Sequence, residues 1–109
     1  MGDLIIKRSK IRQFDKGVFA NRNFKKGEIV TKCNIKILTK KQFVNLPKME
    51  KQFVHKRNGV FYLYLLPDRY VNHSSNPNTI QNFKDNCDIA LWDIRKGDEI
   101  TTDSKKEDF

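Results

Sequence analysis

The segment Arg69-Tyr70-Val71-Asn72-His73-Ser74-Ser75-Asn76-Pro77-Asn78 constrains this chain more than any other. It follows directly on an apolar run and crowds asparagine, histidine, serine and proline together. It is too polar for the interior of a strand, and Pro77 is incompatible with a helix. The sequence therefore predicts an ordered loop whose amides and imidazole face something polar. Asx-type turns that satisfy only their own backbone account for Asn72-His73-Ser74 equally well. The length of the pattern, and its place between two expected hairpins, argue for more than that.

Those hairpins belong to a strand-rich reading of the whole chain. Asn58-Gly59 separates Gln52-Phe53-Val54-His55 from Val60-Phe61-Tyr62-Leu63-Tyr64-Leu65, and Asn-Gly between β-prone runs is a strong hairpin cue. A second hairpin is expected from Thr79 to Trp92, turning at Lys84-Asp85-Asn86. Short strands are expected at Leu4-Ile5-Ile6 and Val18-Phe19-Ala20. Gly27 and Gly97 mark a reused turn ahead of Ile29-Val30 and Ile100. Thr39 is placed to cap a short helix that Pro47 ends. Alternation puts Tyr62 and Tyr64 on one face of their strand, where packing explains them as well as a binding role does. His55 shows no partner in the sequence and reads as a surface strand residue.

A chain of 109 residues has room for one core, so a single domain is expected over residues 1–109. No apolar run is long enough to span a membrane and no signal-like segment opens the chain, so an intracellular protein without a membrane partner is expected. Cys33 and Cys87 stand far apart, which predicts free thiols and no metal. The formal net charge is +9, with 16 lysines against 6 arginines. Weak nucleic-acid association through a basic surface is one reading, and a solvated lysine-rich surface is the other. From Asp85 onward the balance reverses, with eight of the 13 acidic residues.

Three pieces in order resemble the SET domain, a family of protein-lysine methyltransferases that use S-adenosylmethionine. They are Asp15-Lys16-Gly17-Val18-Phe19-Ala20, the Asn72-His73 loop with Pro77-Asn78, and Gly97-Asp98-Glu99-Ile100-Thr101-Thr102-Asp103. The likeness runs from about Gly17 to Asp103. It implies a mostly β fold of several short twisted sheets, little helix and a threaded C-terminal segment. It implies S-adenosylmethionine as cofactor, bound by Lys16, Gly17, Val18, Asn72 and His73, with the Asn-His pair on the adenine. The implied reaction is methyl transfer to a lysine of a protein or peptide substrate.

Two departures matter. Asp15 stands where the family has a first glycine, and aspartate tolerates unusual backbone angles. Ser104 stands where the family has a tyrosine whose hydroxyl aligns the lysine amine. Ser104, Tyr62 and Tyr64 are therefore the candidate catalytic residues, with Tyr62, Tyr64 and Phe53 implied in the lysine channel. The zinc-binding members' cysteine is replaced by Ser75, and no cysteine-rich tail follows. A module that binds cofactor or a basic peptide without turnover, and a basic nucleic-acid-associated domain, remain as alternatives.

Overall fold

At Asn58 and Gly59 the backbone turns with φ of 52° and 78°, the paired left-handed values that close a two-residue hairpin. The computed structural model describes residues 2–11, 15–32, 34–82, 84–85 and 87–103. In chain order its elements are β1 (Leu4–Arg8), β2 (Lys16–Ala20), β3 (Ile29–Lys32), β4 (Ile35–Leu38), α1 (Lys40–Val44) and α2 (Lys48–Lys51). There follow β5 (Val54–Arg57), β6 (Val60–Tyr64), a 3-10 turn (Asp68–Tyr70), β7 (Asn72–His73), β8 (Thr79–Asn82), β9 (Cys87–Ala90) and β10 (Glu99–Thr102).

The strands form three small sheets, ordered β1-β2-β10-β7, β3-β9-β8 and β4-β6-β5. The fold is mostly β, as the sequence predicts. Thr39 caps α1 in a reciprocal box: the Gln42 N–H donates to Thr39 Oγ1 at 3.1 Å and the Thr39 N–H to Gln42 Oε1 at 2.9 Å. The helix is shorter than expected, ending at Val44. Phe43 on α1 stacks on Phe61 of β6 at 4.5 Å between ring centres, which holds the helix on the third sheet.

The reused glycine turns sit against each other. Gly27 and Gly97 take φ of 87° and 97°. The Phe24 and Ile94 N–H groups each donate to the other's carbonyl at 2.8 Å, which clamps the two turns into a bridge. Their side chains, each 1% exposed, join Val18, Ala20 and Ile100 in the core. This core fixes β2 beside β10, and β10 carries the site.

The segment 72–78 departs from the expected all-loop conformation. Asn72 and His73 pair in parallel with Thr101 and Thr102 of β10. A strand two residues long needs little apolar content, because its backbone rather than its side chains meets the sheet. The bonds that follow come from Asn78, whose side chain imitates a strand. Its Nδ2 donates to the Glu99 carbonyl at 2.8 Å and its Oδ1 accepts from the Thr101 N–H at 2.8 Å. Thr79 Oγ1 donates to the Thr101 carbonyl at 2.7 Å.

Among the described residues no helix is long and apolar enough to cross a membrane. Several basic residues are spent on aromatic faces. The ammonium groups of Lys7 and Lys10 lie 4.5 and 5.7 Å from the Phe19 ring centre, and those of Lys51 and Lys56 lie 5.5 Å from Phe43 and Phe61.

Candidate functional site

Glu99, at the start of β10, gathers two distant stretches of chain, residues 9–10 and Asn72. Its Oε2 accepts from Ser9 Oγ at 2.7 Å and from Asn72 Nδ2 at 3.1 Å, while Oε1 accepts from the Lys10 N–H at 2.8 Å. Asn72 Nδ2 also donates to the Lys16 carbonyl at 3.0 Å. The amide donor of Asn72 is thus committed inside the protein, and its Oδ1 has no donor among the described residues. Gly17 makes the junction possible, since a Cβ there would stand 2.5 Å from Glu99 Oε2.

Beyond this junction lies a cavity of about 560 Å³. Lys16, Asn72, His73 and Thr102 line one side of it, and Phe53, Tyr70 and Arg69 another. Phe53 and Tyr70 meet edge to face at 5.5 Å, and the Lys16 ammonium lies 5.4 Å from the Tyr70 ring centre. Arg69 acts as a clamp on this wall. Its guanidinium covers Phe53 at 4.1 Å, its Nε donates to the Tyr64 carbonyl at 3.0 Å, and its two terminal nitrogens reach Glu50 at 2.8 and 3.3 Å. The hydrogen bond from Arg69 holds the Glu50 carboxyl below its ordinary range. Helix α2, which the sequence did not announce, is thereby tied to the loop before Asn72.

The far wall is polar and buried. Tyr64 is 8% exposed, and Gln81 Nε2 donates to its hydroxyl at 3.0 Å. The His55 ring lies 4.7 Å from the Tyr64 ring, so His55 is half-buried in the cavity wall, not on the outer surface. Asp68 and Asp88 complete this wall. Asp68 Oδ2 accepts from the Asn34 N–H at 2.8 Å, and Asp88 Oδ2 from Thr31 Oγ1 at 2.7 Å. Burial pushes the Asp68 carboxyl up to about 6, the Asn34 bond opposing and the nearby Asp88 charge adding. Burial likewise raises Asp88, against its bond from Thr31.

Of the residues singled out in the sequence, Lys16, Tyr64, Asn72, His73 and Phe53 come together around this cavity. Gly17 and Val18 lie beneath it in β2, with Val18 fully buried in the core. Their part is to shape the strand. Tyr62 is not in the cavity wall; it packs under the Arg57 guanidinium at 4.7 Å. His73 Nδ1 lies 3.5 Å from Asp103 Oδ1. Ser104 and Cys33 fall outside the described residues. Sequence reasoning gave no site role to Asp68 or Asp88 and named Arg69 and Glu99 only as members of the motif segments. A signal existed for Asp88, because it shares an alternating face with Ala90, which is 2% exposed.

No group of three or more His, Cys, Asp or Glu able to hold a metal occurs among the described residues. No curated protein sequence matches the chain significantly. Among solved structures, a Plasmodium falciparum protein designated a candidate histone methyltransferase superposes with a TM-score of 0.71 at 22% identity. The match covers 94% of this chain and 93% of that one. At that identity the likeness establishes a shared fold. The SET domain family model matches residues 15–103, the span that carries the β2 strand, the Asn72-His73 bridge and the closing strand β10, and the chain belongs to the SET domain family.

Proposed function

We propose that this protein transfers a methyl group from S-adenosylmethionine to a lysine side chain of a protein substrate. The observation that carries the reading is the Asn72 junction, where one amide bonds the Lys16 carbonyl and the Glu99 carboxylate and so joins all three motif segments at one cavity. The SET domain match over residues 15–103 supports the same reading.

The residues present fit such a cofactor. The cavity lies within the roughly 300–1,000 Å³ usual for small-molecule sites. Aromatic edges at Phe53 and Tyr70 suit a nucleoside, and the unspent Asn72 Oδ1 is an acceptor that suits a cationic amino group better than a mixed donor-acceptor edge. The backbone of His73, fixed against β10, remains for the adenine. When bound, S-adenosylmethionine supplies an electrophilic methyl on a sulfonium sulfur.

The protein's own contribution is orientation and exclusion of water. Arg69 and Glu50 close the wall over Phe53, which keeps the cavity walls rigid. Tyr64 presents a hydroxyl held by Gln81, a fixed dipole able to align an amine nitrogen. A nitrogen attacks only as the neutral amine, so a dry, shaped site matters more than a strong base.

Calorimetric titration with S-adenosylmethionine, followed by transfer of labelled methyl to lysine-containing peptides, tests the reading. One binding site per chain and label on lysine are expected. Neither binding nor transfer would overturn it. Ser104, at the family's tyrosine position, favours a second reading, a module that binds cofactor or peptide without turnover. Binding without transfer would establish that one.

A further inference from the structure

Between Asn34 and Pro67, the stretch that supplies the third sheet and both helices, the chain carries six lysines, one arginine and a single acidic residue, Glu50. Glu50 is already paired with Arg69 at 2.8 Å. No carboxylate of this stretch is left to offset the lysines. Lys36 and Lys41 have no acidic partner among the described residues. Positive charge gathered in this way on one part of a molecule attracts an acidic ligand before contact is made.

Those two lysines stand on the two banks of a groove of about 370 Å³ between β4 and α1. Strand alternation decides what lies beneath them. Lys36 pairs with Leu63 and Leu38 with Phe61, so these four share one face of the third sheet. Helix α1 packs on that face through Phe43. Leu38, Leu63 and Leu46 give the groove an apolar floor, and two exposed amides, Gln42 and Asn45, complete its rim. Gln42 Oε1 is occupied by the Thr39 N–H, which leaves the amide nitrogen as a donor. Tyr64 and His55 belong to the opposite face of the same sheet and line the larger cavity. The groove is therefore a separate site that shares no lining residue with that cavity.

We propose that this groove docks an acidic polypeptide segment, with one aliphatic side chain seated on the leucines and carboxylates on either side of it held by Lys36 and Lys41. The proposal goes beyond methyl transfer and does not depend on it. Charge complementarity sets the sign of the partner, because the rim offers ammonium and amide donors and no anion. The floor sets its class. Single-stranded nucleic acid is held by stacking bases on aromatic rings, and no aromatic residue lines this groove. A duplex would meet it with phosphates, which gain nothing from a leucine floor. A peptide with an aliphatic side chain between carboxylates matches floor and rim together.

The test measures binding of short labelled peptides to the full chain by fluorescence anisotropy, at about 0.15 M salt. One peptide carries a central leucine among aspartates and glutamates, and a second has serine in place of that leucine. Single-stranded and duplex DNA of matching charge complete the set. The leucine peptide is expected to bind at least about threefold more tightly than the serine peptide, and more tightly than either DNA. Lys36→Glu/Lys41→Glu should weaken it at least about 10-fold. Lys25→Glu/Lys26→Glu reverses the same charge on exposed residues outside the groove and should weaken it no more than about threefold. Thermal melting confirms that both variants are folded. If Lys36→Glu/Lys41→Glu does not fold, Lys36→Ala alone must weaken binding at least about twofold. No measurable binding, equal affinity for the leucine and serine peptides, or a comparable loss in the two charge-reversed variants would each overturn the proposal. So would DNA bound more tightly than the peptide and released by Lys36→Glu/Lys41→Glu, which would assign the groove to nucleic acid. Methyl transfer plays no part in these measurements, so an inactive protein that docks the peptide sinks the enzymatic reading alone.

Discussion

Asn72 Nδ2 and Glu99 Oε2 lie 3.1 Å apart across two strands of one sheet, although 27 residues separate them in the chain. Glu99 is therefore a keystone, since the same carboxylate also receives Ser9 Oγ and the Lys10 N–H. The space it occupies exists because residue 17 has no side chain.

The first prediction follows from that space. Gly17→Ala puts a methyl 2.5 Å from Glu99 Oε2 and 3.2 Å from Ser9 Cβ. The end of a free glutamate would swing away cheaply, but this one is held by three donors. The variant should lose about 1–3 kcal/mol of stability, the usual cost of stranding buried polar partners. Its affinity for S-adenosylmethionine should fall with it. Urea denaturation measures the first effect, and a native-like midpoint would remove Glu99 from its keystone role.

Asn72→Ala tests the site more directly. It deletes the bonds to Lys16 and Glu99 together with the unspent Oδ1. S-adenosylmethionine binding should weaken by roughly 1–3 kcal/mol. A folded variant with unchanged affinity would detach Asn72 from the cofactor.

How much of this was legible in the sequence depends on distance along the chain. The Asn58-Gly59 hairpin, the Thr39 cap and the two glycine turns are local, and turn chemistry alone announces them. Grouping Asn72-His73 with Lys16 needed the motif resemblance, because nothing local says that β2 and β7 flank β10. Strand β4, helix α2 and the 3-10 turn lack strong local signals and depend on tertiary packing. Arg69 to Glu50 and Asp68 beside Asp88 are long-range meetings of charged residues, and an unaligned sequence gives no reason to pair them. Asp88 shares one face of its strand with Ala90 and Trp92 by alternation, and only the sheet β3-β9-β8 shows that Asp88 is buried there.

The buried carboxyls make stability depend on pH with a definite sign. The Asp68 carboxyl sits at about 6 in the folded protein, above the value of about 3.9 expected when unfolded. Between those values the folded state holds a proton that the unfolded state has lost. Stability is therefore greatest below the lower value and declines as pH rises through the upper one. Asp88, raised in the same direction, adds to the slope. Asp68→Asn keeps an acceptor for the Asn34 N–H and carries no charge. It should melt several degrees above the native protein at pH 7.5 and show no such advantage at pH 4. Equal differences at both pH values would contradict the assignment.

Zinc should be absent from the purified protein. Ser75 stands in place of a ligand cysteine, Cys87 is buried in β9, and no cluster of metal-binding side chains occurs among the described residues. Elemental analysis should find no stoichiometric zinc, and a chelator should leave the melting temperature unchanged. One zinc per chain would refute this.

The sequence resemblance puts Ser104 at the position of the family's tyrosine, and Tyr64 is the candidate to compensate. The Tyr64 hydroxyl is buried at the cavity, oriented by Gln81 and backed by the His55 ring. If Tyr64 aligns the lysine amine, the native protein transfers methyl groups and Tyr64→Phe lowers the rate by about 10-fold or more, with little change in cofactor affinity. Ser104→Tyr then adds nothing, or crowds the cavity. If the aligning hydroxyl was lost with the tyrosine, the native rate is low, Ser104→Tyr raises it, and Tyr64→Phe is nearly neutral. We expect the first pattern, because Tyr64 already has what alignment requires: burial, a fixed hydroxyl and a place in the cavity wall. The four proteins compared by methyl transfer to one lysine peptide decide between them: native, Tyr64→Phe, Ser104→Tyr and the double variant. No transfer by any of the four, with cofactor binding intact, would establish a binding module in place of an enzyme.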